Sequence, residues 1–301
     1  MRALVISGGG SKGAFAGGVA QYLMQEKKFT YDLLLGTSTG SLLISHLALQ
    51  EIEKIRKVYT SVNQQSIFSN CPFTIHRKYG AATIGINHWS VLKNLLRGSK
   101  TFGESHNLHA LIRNTLKRDE FEALRRGPID ILVTVSNLSL NQVEYKSIND
   151  FDYEEFCEWI WISCNYIPFM SLVRKNGCEY ADGGLGCMVP IEEAIHRGAT
   201  VVDAIILHTE VTHVNRMPSN NPFSLLTNMF GFMLDRIEEQ NVKIGKFTAN
   251  HKDALINFYY TPTILTTNSL VFDREQMTKW WKSGFLYASS RSEGSSELEL
   301  G

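Results

Sequence analysis

The chain has 301 residues, enough to bury one large α/β core or two smaller ones. Its 30 basic and 30 acidic side chains cancel, so the electrostatic footprint of a nucleic-acid binder is missing and no nucleic acid is expected as a partner. The five cysteines (Cys71, Cys157, Cys164, Cys178 and Cys187) are odd in number and form no CxxC pair, which argues against a disulfide framework or a cysteine-rich zinc site.

The first apolar run stops at Gly8, too early for the core of a secretory signal, and no stretch reaches the roughly 18 uncharged apolar residues of a membrane span. A cytoplasmic protein is expected, although export by a route without a cleaved signal leaves no trace in a sequence. Residues 3–7 read as a buried strand and 14–25 as a helix, then 32–35 as a strand and 41–49 as a helix. This βαβα order predicts a parallel sheet. Residues 51–124 read as a helical insertion, with amphipathic runs at 52–62, 89–96 and 108–116. Strands covered on both faces are predicted at 129–135 and 201–207, where the apolar runs are nearly continuous, and a further strand at 255–260. Short strands at 143–147 and 172–180, the second interrupted by an Asn176-Gly177 turn, predict an antiparallel edge.

In the segment 222–236, Phe223, Leu226, Phe230 and Met233 recur at helical spacing, while Leu225, Met229, Phe232 and Leu234 widen the apolar surface beyond one stripe. The segment reads as a core helix covering the sheet, with an interfacial helix as the alternative. Residues 292–301 are small, polar and acidic, and are expected to form a disordered tail.

Two glycine-framed turns carry the chemistry. Gly36-Thr37-Ser38-Thr39-Gly40 follows a buried strand and opens an apolar helix, the context of a G-x-S-x-G elbow that exposes a serine nucleophile at a positive helix end. The alternative is an ordinary tight turn with a helix cap at Ser38 or Thr39. The earlier loop, Gly8, Gly9, Gly10, Ser11, Lys12 and Gly13, also satisfies the dinucleotide fingerprint G-x-G-x-x-G. That fingerprint needs an acid at the far end of the second strand, about 20 residues on, whereas here Asp32 opens the strand and Gly36 closes it. A phosphate-binding P-loop is excluded because Lys12-Gly13-Ala14 stands where Gly-Lys-Ser/Thr is required. The loop's backbone N–H groups are left for a different anion, an acyl oxyanion. Lys12, in a first helical turn where the dipole disfavours a cation, is either near the site or a solvated surface lysine.

A serine needs a base. Asp182-Gly183-Gly184 follows the strand-like residues 178–181 and turns at once, though a plain turn aspartate is the alternative. Of the nine histidines, His208 completes an order, Ser38, Asp182, His208, that superficially fits an α/β-hydrolase triad. Such a fold forms several strands before its nucleophile, and only one precedes Asp32 here, so His208 reads as a hydrogen-bonded structural residue. His106 and His109 lie at helical spacing without a third ligand, a solvated face rather than a metal site.

With these three sites in their order, the chain resembles the patatin-like phospholipase family of lipid acyl hydrolases. Softer similarity runs through residues 101–111, 163–168 and 190–199, and the resemblance covers about residues 1–208. It implies a three-layer α/β/α fold with a mostly parallel central sheet, and a Ser38–Asp182 dyad without histidine. It further implies an oxyanion hole around Gly9, Gly10 and Ser11 and neither metal nor organic cofactor. Residues 1–208 would be the catalytic domain and 209–291 a mostly helical continuation packed on it. The expected function is phospholipase A or lysophospholipase hydrolysis through an acyl-enzyme. Its substrate would be a phospholipid or other lipid ester, met in transient contact with a membrane surface. The alternatives are another carboxylester hydrolase or triacylglycerol lipase, a dinucleotide-binding oxidoreductase, and a non-catalytic membrane-binding module.

Overall fold

The computed structural model describes residues 1–78, 81–210, 219 and 222–298. The chain opens with β1 (Arg2–Ile6), α1 (Gly13–Gln21), β2 (Leu33–Thr37) and α2 (Thr39–Ala48), the βαβα order expected from the sequence. The insertion follows as α3 (Ile52–Ser61), α4 (Gln64–Ile67), β3 (Phe73–Lys78), β4 (Ala81–Ile86), α5 (His88–Leu96), α6 (His106–Thr115) and α7 (Arg118–Arg126). It is not purely helical. β3 and β4 pair antiparallel as a two-stranded sheet of their own, from Phe73 opposite Ile86 to Lys78 opposite Ala81. The β-branched residues Thr74, Ile75, Thr83, Ile84 and Ile86 favour a pleated surface over a helix, a signal outweighed in the sequence by the amphipathic runs on either side.

The main sheet resumes with β5 (Asp130–Asn137), β6 (Gln142–Ser147), α8 (Tyr153–Ser163), β7 (Val173–Lys175), β8 (Cys178–Asp182), α9 (Ile191–His196) and β9 (Val201–Ile206). It closes with α10 (Pro222–Lys252), β10 (Leu255–Tyr260) and α11 (Arg274–Leu298). Spatial order is β10-β9-β1-β2-β5-β8-β7 with β6 on β5; the first five run parallel and β6, β7 and β8 form the antiparallel part.

Strand alternation divides the core into two layers. Leu4, Ile6, Leu34, Ile131 and Val133 face one apolar cluster with residues of α1, α2, α3, α6, α8 and α11. Ala3, Val5, Leu33, Leu35 and Leu132 face the other, with α9 and the second half of α10. The result is the mixed α/β fold with helices on both faces of a mostly parallel sheet. α11 approaches α1 so closely that a Cβ on Gly18 would run into the Trp281 carbonyl oxygen, so glycine is needed there for want of space.

One expectation changes. Leu225, Met229, Phe232 and Met233 are exposed, while Phe223 and Phe230 of the same helix rest on Phe169 at centroid distances of 5.6 and 6.3 Å. A helix apolar on most of its circumference can bury only the part that meets the core, so the first half of α10 covers the protein with one face and leaves the other in the open. α11 is assigned to Leu298, past the start of the segment 292–301, and the expectation of a disordered tail there is left as an expectation. Residues 299–301 of that tail, and His213, lie outside the described residues. No helix of the described residues is long and apolar enough to cross a membrane.

Candidate active site

The sheet register brings Ser38 and Asp182 together. β6 occupies one edge of β5 over Leu132–Asn137, and a strand has only two edges, so β2 and β8 share the other end to end. β2 runs parallel to β5 and ends with Thr37 beside Thr134; β8 runs antiparallel and ends with Asp182 beside Val135. The two carboxyl-terminal ends therefore meet head-on, and each chain turns out of the sheet at the meeting point.

At the first turn Ser38 has φ 52 and ψ −119, a left-handed conformation that costs a non-glycine residue about 1–3 kcal/mol and that the surroundings must enforce. A Cβ on Gly40 would meet the Ile6 carbonyl, and one on Gly36 the backbone of Gly40, so both glycines of the elbow are set by close approach. Ser38 N–H donates to Ser163 Oγ at 2.9 Å, and its carbonyl accepts from Ser41 Oγ at 2.6 Å and Cys164 Sγ at 3.2 Å. At the second turn Asp182 is only 5% exposed. Its N–H donates to the Asn165 carbonyl at 2.9 Å, and its Oδ1 accepts the Gly184 N–H at 2.7 Å. Residues 163–165 thus hold the backbones of both Ser38 and Asp182. The sequence marked this segment only as a weak similarity, because nothing local in it announces contacts so distant along the chain.

Burial pushes the Asp182 carboxyl up to about 7, against hydrogen bonds from the Ser38 side chain and the Gly184 N–H that hold it down. A carboxylate so poised, hydrogen-bonded to a serine hydroxyl, is matched to proton transfer near neutral pH.

The loop from Gly8 to Gly13 faces the same cavity. Gly8 N–H donates to the Met188 carbonyl at 3.2 Å, Ser11 N–H to the Ser269 carbonyl at 2.8 Å and Lys12 N–H to the Gly9 carbonyl at 3.2 Å; Gly13 N–H turns back to Gly10 and Ser11. Among the described residues no acceptor is met by the N–H of Gly9 or Gly10. Tyr59, a residue the sequence did not single out, donates its hydroxyl to the Gly10 carbonyl at 2.7 Å and is also bonded to Thr39, tying the loop to the elbow. Lys12 is buried and lines the cavity, its ammonium donating to the Leu207 carbonyl at 2.6 Å. Gly183 lies against the Thr134 carbonyl and Gly184 against the Met188 side chain.

His208 also lines this cavity, but both ring nitrogens are taken: Nδ1 lies 2.8 Å from Glu238 Oε1 and Nε2 3.1 Å from Asp235 Oδ1. Lys12 and burial push its pKa down, yet the Glu238 and Asp235 carboxylates outweigh them and hold it above the usual histidine value. A ring engaged by two carboxylates has no nitrogen left to accept a proton from Ser38. His106 and His109 lie elsewhere, His109 stacked on Trp161 at 4.8 Å. Among the described residues His46, Glu51 and Glu120 come within 4.8 Å of one another, but the Lys54 ammonium bonds both carboxylates and already serves as their cation. The cavity over Ser38 and Asp182 measures about 910 Å³, and Phe73, Phe169, Met170, Phe223 and Leu265 contribute to its walls.

A serine elbow and a buried aspartate at the edge of a three-layer α/β/α sheet are an arrangement for acyl transfer. The family model described as patatin-like phospholipase matches residues 4–195, and the chain belongs to that family. Similar solved structures include VipD from Legionella pneumophila, at 14% identity and a TM-score of 0.47, over 96% of this chain and 66% of that one. No curated protein matches the chain.

Proposed function

We propose that this chain is a lipid acyl hydrolase of the phospholipase A or lysophospholipase type, with Ser38 as nucleophile and Asp182 as its base. The observation that carries the reading is the Ser38 hydroxyl bonded to a buried carboxylate raised to about 7. Ser38 Oγ attacks the ester carbonyl carbon while its proton passes to Asp182. The N–H groups of Gly9 and Gly10 stabilise the resulting oxyanion, with Gly8, Ser11, Lys12 and Gly13 shaping the loop that presents them. As the tetrahedral carbon collapses, Asp182 returns the proton to the leaving alkoxide, which departs as an alcohol and leaves the acyl group on Ser38. Water then gives its proton to Asp182 and attacks the acyl carbon; the free acid leaves, and Ser38 regains a proton from Asp182.

A membrane as the source of substrate is supported by the rim of the cavity. His88 at the start of α5 and Phe223, Thr227 and Gly231 of α10 line the cavity. The same two helices expose Trp89 (82%), Leu92 and Leu96, and Leu225 (60%), Met229 and Phe232 (61%). Lys93 and Arg97 stand exposed beside the α5 group, a pattern suited to an anionic lipid surface. The test is lipid profiling of mixed phospholipids incubated with the protein or with Ser38→Ala, alongside labelling by a fluorophosphonate. Release of lysophospholipid and free fatty acid by the protein alone, with label on Ser38, supports the reading. Lipid turnover that persists in Ser38→Ala, or label elsewhere, contradicts it.

A further inference from the structure

Beside the large cavity lies a second, narrow one of about 60 Å³, set between α2, α3 and α6 and walled almost entirely by apolar side chains. By the space a water-sized group needs, this is room for about four or five of them in file. The two cavities share Leu42, Tyr59, Ile67, Leu108 and Phe272 as lining residues, so the small pocket adjoins the volume that holds Ser38. A cavity whose walls are so largely apolar suits an apolar occupant.

The wall of α2 gives the scale. Ser38 and Leu42 line the large cavity, and Leu42, Ser45 and His46 line the small one. These positions follow the i, i+4, i+7, i+8 spacing of one helix face. Eight residues of helix from Ser38 to His46 advance about 12 Å. An extended alkyl chain advances about 1.25 Å per carbon, so about ten carbons reach from the nucleophile to the end of the pocket. About half of that length falls beyond Leu42, in agreement with the number of methylene-sized groups the small pocket holds. Buried His46, Ile55 and Thr115, on α2, α3 and α6, line the pocket but not the large cavity.

We propose that the pocket between α2, α3 and α6 receives the distal half of the substrate's acyl chain and sets its length, favouring chains of about ten carbons. The inference rests on the acyl-hydrolase reading of Ser38 and specifies which acyl group that site accepts. Each methylene moved from water into the pocket is worth about a fourfold gain in binding or in kcat/KM, and the gain stops where the pocket ends.

Val58 is half-buried on α3 and lines the pocket but not the large cavity, so the pocket can be altered there without touching the core of the sheet. The experiment compares the parent, Val58→Phe and Val58→Ala on soluble monoacyl esters of about six to sixteen carbons. In parallel, calorimetry on the same proteins carrying Ser38→Ala follows binding of the corresponding free fatty acids. The parent should gain about fourfold per methylene and break near ten carbons; Val58→Phe should move the break about two carbons shorter, and Val58→Ala should move it longer. Identical breaks in all three proteins, by hydrolysis and by calorimetry, would overturn the pocket assignment even if the parent hydrolyses esters well. If no ester is hydrolysed but the fatty-acid affinities still break and shift as described, the acyl-hydrolase reading falls and the pocket stands.

Discussion

The floor of the cavity and its rim are built on opposite principles. At the floor, Ser38 and Asp182 sit at the meeting ends of two core strands, and residues 163–165 bond to both backbones. These backbone bonds fix where the two side chains stand, as catalysis by preorganised groups requires. Beside the cavity, the first half of α10 and the outer face of α5 present apolar side chains to the open. The second half of α10 shows the contrast within a single helix: Val242 and Ala249 are buried, and Gly245 lies against Ile191 of α9. A rigid floor and an apolar rim suit an enzyme whose chemistry is local and whose substrate arrives from a lipid phase.

The largest expected effect breaks the floor. Ser38→Ala and Asp182→Asn should each reduce ester turnover by about a thousandfold or more in folded protein, because the two groups act as a unit. Asp182→Asn carries a second signature in stability. In the unfolded chain the carboxyl ionises near its ordinary value, while in the folded protein it resists ionisation up to about 7. The cost of burying it is therefore absent in strong acid, grows as pH rises between those values and is complete above the folded one. Asp182→Asn should melt higher than the parent at pH 8 and with little difference at pH 4, by scanning calorimetry; a mutant that melts lower at pH 8 would contradict the buried, strained carboxylate.

Next in size is a break at the rim. Phe232→Glu removes an exposed aromatic from the α10 face and should weaken binding to anionic liposomes by about tenfold or more, while leaving melting temperature and turnover of a soluble short-chain ester unchanged. A large drop in melting temperature with liposome binding intact would return this face to the core.

Ser163→Ala sharpens the floor by a smaller step. It leaves the Ser38 N–H without its acceptor, and the expected loss is about tenfold in kcat with KM nearly constant. An unchanged kcat would show that the elbow holds itself without residues 163–165.

Most of the floor was legible in the sequence because its signals are local. A strand, a glycine pair and a helix within a few residues define each turn, and the triplet Asp182-Gly183-Gly184 marks the second chain reversal. The meeting of the turns was not legible. It depends on β5 carrying β2 and β8 along one edge, pairings between residues about a hundred and about 45 apart that no periodicity encodes. The rim misled for a related reason: the apolar residues of 222–236 record that the helix avoids water, but not whether protein or another apolar phase takes its outer face. The β3–β4 pair was hidden because its strands are flanked by strong helical patterns. Tyr59 gave no sign of its bond to the Gly10 carbonyl, since an aromatic at helical spacing reads as core.

The smallest expected effect is also the most telling. His208→Gln should leave activity per folded molecule within about threefold of the parent, because its ring already serves Glu238 and Asp235. The raised pKa of His208 stabilises the fold at low pH and loses that effect as pH rises through its folded value, so the melting deficit of His208→Gln should be larger at pH 6 than at pH 9. A histidine base and a buried aspartate base would both titrate near neutrality, and only the variant separates them. The central measurement is therefore kcat/KM against pH for the parent and His208→Gln on a soluble ester. If Asp182 is the base, both proteins lose activity below a single inflection near 7 and keep it above. Disappearance of that inflection in His208→Gln, with activity lost at every pH, would assign the proton transfer to the histidine and contradict the Ser38–Asp182 dyad.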